Sequence, residues 1–447
     1  MQRHGAEPRA AVPGDAVLHH ESSSPPEEAK AVNQEQEQLT NWKPRFFTLW
    51  TGQAISLIGS KVVQFALVWW LTKLTGSATV LATASIVALV PEILLLPIAG
   101  AYVDRWNRRI VMIVADALIA LSSLGLAYLF WIDATQVWHV YAVMLVRAVG
   151  GSFHWPAMQT STTLMVPRKH LTRVAGLNQT TNGALNIIGP PLGALLMEVL
   201  PLHGVMLVDV GTAMLAIVPL LFVSVPQPER RDAQVADRPS IWVDMRAGLR
   251  YILQWPGLKL LIASAMIVKI ALTPAFSLLP LLVSEHFHGG ATQLSLLEAV
   301  TGVGIVAGGL ILSVWGGFRR RIYTTMMGLV GLGVGFVVMG VTPEGSFWMA
   351  LASTFVVGLT IPLVDGPIMA ILQATVAPEI QGRVFTMMGS LLSITSPFSL
   401  ALAGPVSDRF GLRVWYVTAG VLCSVMVLTL FSVPAIVNIE DNASGVS

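Results

Sequence analysis

Gly100-Ala-Tyr-Val-Asp104-Arg105-Trp-Asn107-Arg108-Arg109 is a short charged connection between two long apolar runs, about 78–102 and 110–131. Each run can cross a hydrocarbon core of about 30 Å, a span that takes about 20 helical residues. Three arginines in so short a connection mark a loop held on the positive side of a bilayer. Within it, Gly100 permits close helix approach and Asp104 suits a helix N-terminus or an arginine. Arg105, Arg108 and Arg109 suit an interface between helices on that face. Asn107 tolerates left-handed backbone, so the turn can form there.

Outward from this loop the same pattern recurs. Twelve apolar runs are expected to span, at about 46–72, 78–102, 110–131, 137–163, 174–200 and 205–225, and then at 258–283, 293–316, 324–342, 347–374, 384–404 and 412–434. The runs are continuous rather than alternating, which excludes a transmembrane β-barrel. Only 12% of the 447 residues are charged, against about 25% in soluble domains. With a mean hydropathy of +0.68, that scarcity excludes a soluble protein. A net charge of +2 argues against a nucleic-acid reader. The single cysteine, Cys423, allows no internal disulfide and no cysteine-cluster metal site.

Residues 1–41 are polar and rich in Glu, Gln, Ser and Pro and read as a disordered tail with no apolar signal segment. Residues 226–257 form the one long polar interruption, a linker between six-helix bundles at 42–225 and 258–434; a second tail follows at 435–447. Ile241, Met245, Leu249 and Ile252 are spaced for an amphipathic helix at the membrane surface. Lys43, Arg45, Arg105, Arg108, Arg109, Arg168, Lys169, Arg173, Arg319, Arg320, Arg321 and Arg383 would share one face, against Lys73, Arg409 and Arg413 on the other. Both termini are therefore expected in the cytoplasm of a cell whose inner membrane holds the chain. The halves repeat at an offset of about 211: His154-Trp-Pro156, Val166-Pro167 and Arg173-Val174 align with Asp365-Gly-Pro367, Ala377-Pro378 and Arg383-Val384. Such duplication is the mark of a secondary transporter with alternating access.

The loop at 100–109 resembles the G-x3-D-R-x-G-R-R signature of the major facilitator superfamily, with Asn107 in place of the second glycine. Arg147 with Gly150 and Gly151 is similar to the pattern of that family's fourth helix. Gly189-Pro190-Pro-Leu-Gly193-Ala194 resembles the Gly-Pro segment of its proton-driven exporters, with Ala194 and Leu185 departing from it. Phe47-Thr-Leu-Trp-Thr-Gly-Gln53, Phe65-Ala-Leu-Val-Trp-Trp70, Gly176-Leu-Asn-Gln179 and Gln381-Gly-Arg-Val384 resemble the macrolide-efflux and enterobactin-exporter branch of drug:proton antiporters. The resemblance implies an all-α membrane protein, with twelve transmembrane helices in two pseudo-symmetric six-helix bundles, the major facilitator fold. It also implies a monomer that exchanges protons for a hydrophobic or amphiphilic small molecule, with the 100–109 loop as a conformational latch.

An ionisable side chain near the bilayer centre costs at least about 2.5–3.5 kcal/mol, so each is a functional candidate. Five stand deep in their runs: Lys61, Glu92, Arg147, Lys269 and Asp365. In the resembled fold, Lys61, Arg147, Lys269 and Asp365 fall on the four cavity-lining helices. Glu92 and Asp365 are the proton-coupling candidates. Lys61, Phe65, Arg147, His154, Trp155 and Lys269 are the cavity candidates, Arg147 leaning toward a structural role and His154 toward packing. Three cations against two carboxylates favour a neutral or anionic amphiphile. Asp116, Asp209, Glu198 and Glu298 lie nearer the ends of their runs, where headgroup or loop pairing is expected, Asp116 with the 105–109 arginines. Trp69 and Trp70 fit an interfacial aromatic belt. No nucleotide loop, zinc motif or nucleophile elbow is present, so no enzyme, cofactor or metal is expected. An importer or lipid flippase of the same fold, or a non-transporting sensor, remains the alternative.

Overall fold

The computed structural model describes residues 42–103, 105–223, 225 and 241–440. The tail expected over 1–41, the linker residues 226–240, the end of the chain from 441, and Asp104 lie outside the described residues.

Among the described residues, twelve long helices follow the apolar runs, and none of these residues is in a strand. They are α1 (Trp42–Thr75), α2 (Ala78–Val103), α3 (Arg108–Trp131), α4 (Val137–Met165), α5 (Leu171–Val199) and α6 (Leu202–Phe222). After the amphipathic α7 (Ile241–Gln254) come α8 (Pro256–Ser277), α9 (Ala291–Trp315), α10 (Arg321–Val341), α11 (Phe347–Thr375), α12 (Pro378–Phe410) and α13 (Arg413–Ser432). Local chemistry sets several ends. Asn107 caps α3 by accepting from the amides of Arg109 and Ile110. Gly316, at φ 76°, ends α9 in the left-handed conformation that glycine adopts without strain.

Ten of the twelve contain a stretch long and apolar enough to cross a membrane on composition. The other two, α4 and α5, are each 29 residues long, about 43 Å as helix. What lowers their hydropathy is a set of polar residues, Arg147, His154 and Gln159 on α4 and Asn178, Gln179, Asn182 and Asn186 on α5.

The repeat in the sequence appears as a repeat of packing. In the first half α6 packs on α1 and α3, α4 on α2 and α3, and α5 on α1. In the second half α13 packs on α8 and α10, α11 on α9 and α10, and α12 on α8. Exchanging α1–α6 for α8–α13 turns one set of pairs into the other. The two main seams between the halves, α5 on α9 and α2 on α12, are exchanged by the same operation.

The halves approach closely away from the face that bears Trp42, here termed the terminal face. A Cβ on Gly404 of α12 would collide with Thr79, the second residue of α2. The hydroxyls of Ser85 on α2 and Ser277, the last residue of α8, are 2.5 Å apart. Toward the terminal face, α4, α5, α11 and α12 instead leave Gln159, Gln179, Thr180, Gln373 and Thr386 exposed. Exposed amides and hydroxyls at membrane depth suit a water-filled cleft and not lipid. The helix α7 packs against α12 and α8. Gly248 lies so close to the Arg383 carbonyl that an added Cβ would stand 2.6 Å away, and Ile252 is buried.

Candidate functional site

Inside the first half, Arg147 does not face the cleft as a free anchor. Its guanidinium donates to Asp209 Oδ2 at 2.5 Å, to Ser123 Oγ at 3.1 Å and to the Ser60 carbonyl at 3.2 Å. Ser123 donates to the same carboxylate at 2.7 Å and Ser60 Oγ to its other oxygen at 3.2 Å. Four helices, α1, α3, α4 and α6, are thus tied to one carboxylate. Asp209 is 1% exposed, which corrects its placement near a helix end. It stands seven residues into α6, about 10 Å from the start of the helix.

A second polar cluster lies closer to the cleft. Asp116 accepts from Gln53 Nε2 at 3.0 Å, and its other oxygen is 3.4 Å from His154 Nε2. Asp116 is buried between helices and does not pair with the 105–109 arginines as expected. Gln53 and His154 open onto a pocket between α1, α4 and α5, together with Trp50, Trp155, Gln159 and Asn182. Trp50 Nε1 donates to Asn178 Oδ1 at 2.8 Å across the pocket wall. Trp155 is 45% exposed, an aromatic face presented to the cleft. Phe65, by contrast, is 6% exposed and packs on Gly193, so it is a core residue and not a cavity wall. Trp69 is also buried, with the Lys73 ammonium 5.2 Å from its ring.

In the second half, Lys269 of α8 is half-buried, Asp365 of α11 is exposed, and the two interact electrostatically. Glu92 is exposed on α2 with no partner among the described residues, so it joins none of these clusters. Glu298, placed by sequence near a helix end, is half-buried on α9, and the charge that acts on it is Lys61 of α1.

The Gly-Pro segment meets α1 at the same level. A Cβ on Gly189 would stand 3.0 Å from Lys61 Cβ, and one on Gly193 2.9 Å from the Phe65 ring. These glycines let α5 lie directly on α1, with Pro190 and Pro191 inside the helix. In the 105–109 loop, Arg109 donates to the carbonyls of Leu220 and Leu221 at the end of α6, and Arg108 Nη1 to the Thr160 carbonyl at 3.3 Å. A guanidinium at a helix C-terminus satisfies carbonyls the helix leaves unpaired. Two expectations for this loop are corrected. Gly100 has nothing within 4 Å of an added Cβ among the described residues, so it marks no close approach. Asn107 has φ −66° and serves as a helix cap, not as a left-handed turn residue.

The profile of the Major Facilitator Superfamily matches residues 49–399. The chain belongs to the major facilitator superfamily. It is 33% identical over 386 residues to Macrolide efflux protein A of Streptococcus pyogenes, covering 86% of this chain and 95% of that one. It is 27% identical over 371 residues to the Multidrug efflux pump Tap of Mycolicibacterium fortuitum, covering 79% and 87%. In structure it is similar to a bacterial homologue of the iron transporter ferroportin in an inward-facing state, with a TM-score of 0.64 at 14% identity over 86% of this chain and 98% of that one. At that identity the likeness is one of fold. The superfamily consists of membrane transporters for small molecules, and twelve helices in two pseudo-symmetric bundles are the form this member takes.

Proposed function

We propose that the protein is a proton-coupled exporter of hydrophobic or amphiphilic small molecules, acting as a monomer in the cytoplasmic membrane with both termini in the cytoplasm. The observation that carries this reading is the cleft. The halves are joined on the face away from Trp42, while the opposite end of α4 and α5 opens onto Trp155, Gln159 and Gln179. A cleft lined by an exposed indole and side-chain amides suits a bulky, largely neutral molecule with scattered hydroxyl or carbonyl groups. The macrolide and multidrug efflux proteins to which the chain is similar support a drug-like cargo. The Lys and Arg asymmetry of the loops supports the terminal face as cytoplasmic, so the cleft would load from inside.

Exchange follows from alternating access. The halves rock about their shared axis, opening one face as the other closes. A carboxylate in the cleft would bind a proton in one state and lose it in the other, and Asp365 beside Lys269 stands where it can take part. Glu92, with no partner among the described residues, has less support for that role. Arg108 and Arg109 would brace the terminal face, with Asp104 as their latch partner. The test is transport in everted membrane vesicles of an expressing strain. An imposed proton gradient should drive accumulation of radiolabelled erythromycin or of a lipophilic dye, and its collapse should release the label. Accumulation in right-side-out vesicles instead would make the protein an importer.

A further inference from the structure

The charges inside the bundle divide into those the fold has satisfied and those it has not. Arg147 and Asp209 are fully engaged with Ser60 and Ser123. Lys269 and Asp365 belong to one half and stay together whatever the halves do relative to each other. Lys61 and Glu298 differ on both counts. They lie in different halves, on α1 and α9. Glu298 accepts no hydrogen bond and makes no ion contact within 4 Å among the described residues, so Lys61 is its only electrostatic counterpart. A carboxylate at membrane depth left in that condition calls for an explanation.

Its position supplies one. Glu298 is one helical turn from Gly302 and on the same face, and Gly302 is where α9 receives Ile187 of α5. Glu298 therefore belongs to the seam between the halves, on the side of Gly302 away from the terminal face. Two residues on from Ile187, Gly189 holds α5 against the stem of Lys61. The α5 helix thus touches α9 at Ile187 and α1 at Gly189, and Lys61 is the charge that acts on Glu298. The surrounding elements add no competing charge. On α9 Glu298 is the only ionisable residue. The α5 helix carries Arg173 and Glu198 only at its two ends, and α11 carries only Asp365, whose counterpart is Lys269.

We propose that Glu298, at the seam between the halves, is a carboxylate that couples protons to transport, with Lys61 of the other half as the counter-charge it loses when the seam opens. The proposal rests on the antiport reading above and names its residue. With the seam closed, Lys61 neutralises the ionised carboxylate. When the halves part on the far side, Glu298 loses its only counter-charge and takes one proton from the water entering there. As the seam closes again, the returning ammonium displaces that proton, which leaves through the cleft on the terminal face. One proton enters and one leaves at Glu298 per cycle.

The experiment compares two measurements on the full-length chain in everted vesicles, with radiolabelled erythromycin as probe. One is accumulation driven by a proton gradient; the other is counterflow, the exchange of label for unlabelled probe without a gradient. Glu298→Gln should lower driven accumulation at least tenfold and leave counterflow within twofold of the wild type. Driven accumulation retained in Glu298→Gln overturns the proposal. If both measurements fail, the double variant Lys61→Gln/Glu298→Gln, which leaves no unpaired charge, decides. Recovery of counterflow alone supports the pair, and recovery of neither overturns it. Wild-type vesicles that show counterflow but no gradient-driven accumulation would refute antiport itself, a different outcome from any of these.

Discussion

Arg147 with Asp209, and Lys61 with Glu298, are each a cation and a carboxylate inside a membrane-spanning bundle, yet the fold treats them in opposite ways. The first pair is enclosed within one half and saturated, its carboxylate accepting from Arg147, Ser60 and Ser123. The second draws one charge from each half, and its carboxylate accepts no hydrogen bond among the described residues. A saturated buried pair is costly to break from either side and has little reason to change protonation. On the proposal above, an unsaturated carboxylate at a moving seam would exchange counter-charge for proton as the seam opens. The comparison teaches that charge inside the bilayer is not by itself a sign of transport chemistry. What would mark a coupling carboxylate is the combination of a missing hydrogen-bond donor and a counter-charge on the other moving body.

The largest expected effect comes from breaking the saturated centre. Asp209→Ala leaves a guanidinium buried among Ser60 and Ser123, and loss of one partner from such a pair costs about 3–5 kcal/mol. The prediction is a large fall in the melting temperature of the purified protein and in its yield, read by fluorescence-detected chromatography after heating. Glu298→Gln, by contrast, should melt close to the wild type. Equal destabilisation by the two substitutions would erase the distinction drawn here.

That distinction was only half legible in the sequence. The spans were, because a run of about 20 apolar residues has no other stable fate at that length. Even α4 and α5, with hydropathy diluted by amides, stand out by position between flanking spans. The repeat at 154 and 365 was legible too, and it recurs in the packing pairs. Depth and facing were not. Asp209 lies close to the end of an apolar run that begins at 205, whereas α6 begins at Leu202. The same holds for Glu298, with α9 beginning at Ala291. Phe65 was read as a cavity wall because nothing in a single helix reveals that Gly193 of α5 would cover it. Asp116 was assigned to nearby arginines in the chain, while its partners, Gln53 and His154, come from other helices. A signal for Glu298 did exist: a lone carboxylate, one turn before Gly302, in an otherwise uncharged span.

The next effect tests how the second pair is held in place. Gly193→Val would push a branched side chain into the Phe65 ring, and overpacking of this kind costs about 1–3 kcal/mol. It should force α5 away from α1 and displace the Lys61 stem. Gradient-driven accumulation should fall several-fold while the Arg147 centre, anchored on α3, α4 and α6, keeps most of the thermal stability. Combining it with Phe65→Leu should restore part of the transport. A Gly193→Val protein with undiminished accumulation would show that contact between α1 and α5 does not set the position of Lys61.

Exchanging the two cation types separates the pairs more finely. At 147, lysine keeps the charge but not the fork that reaches Asp209, Ser123 and the Ser60 carbonyl from two nitrogens. Each hydrogen bond lost there is worth about 1 kcal/mol, so Arg147→Lys should lower the melting temperature measurably with the substrate KM unchanged. At 61 the reverse exchange should have the smallest effect of all. Lys61 contributes a charge to Glu298 and a methylene stem to the Gly189 contact, and arginine supplies both. Lys61→Arg should leave melting unchanged and driven accumulation within twofold of the wild type, whereas Lys61→Gln should uncouple accumulation from counterflow as Glu298→Gln does. If Lys61→Arg were as damaging as Lys61→Gln, the ammonium would be acting through directed bonds, and the two pairs would differ in position but not in kind.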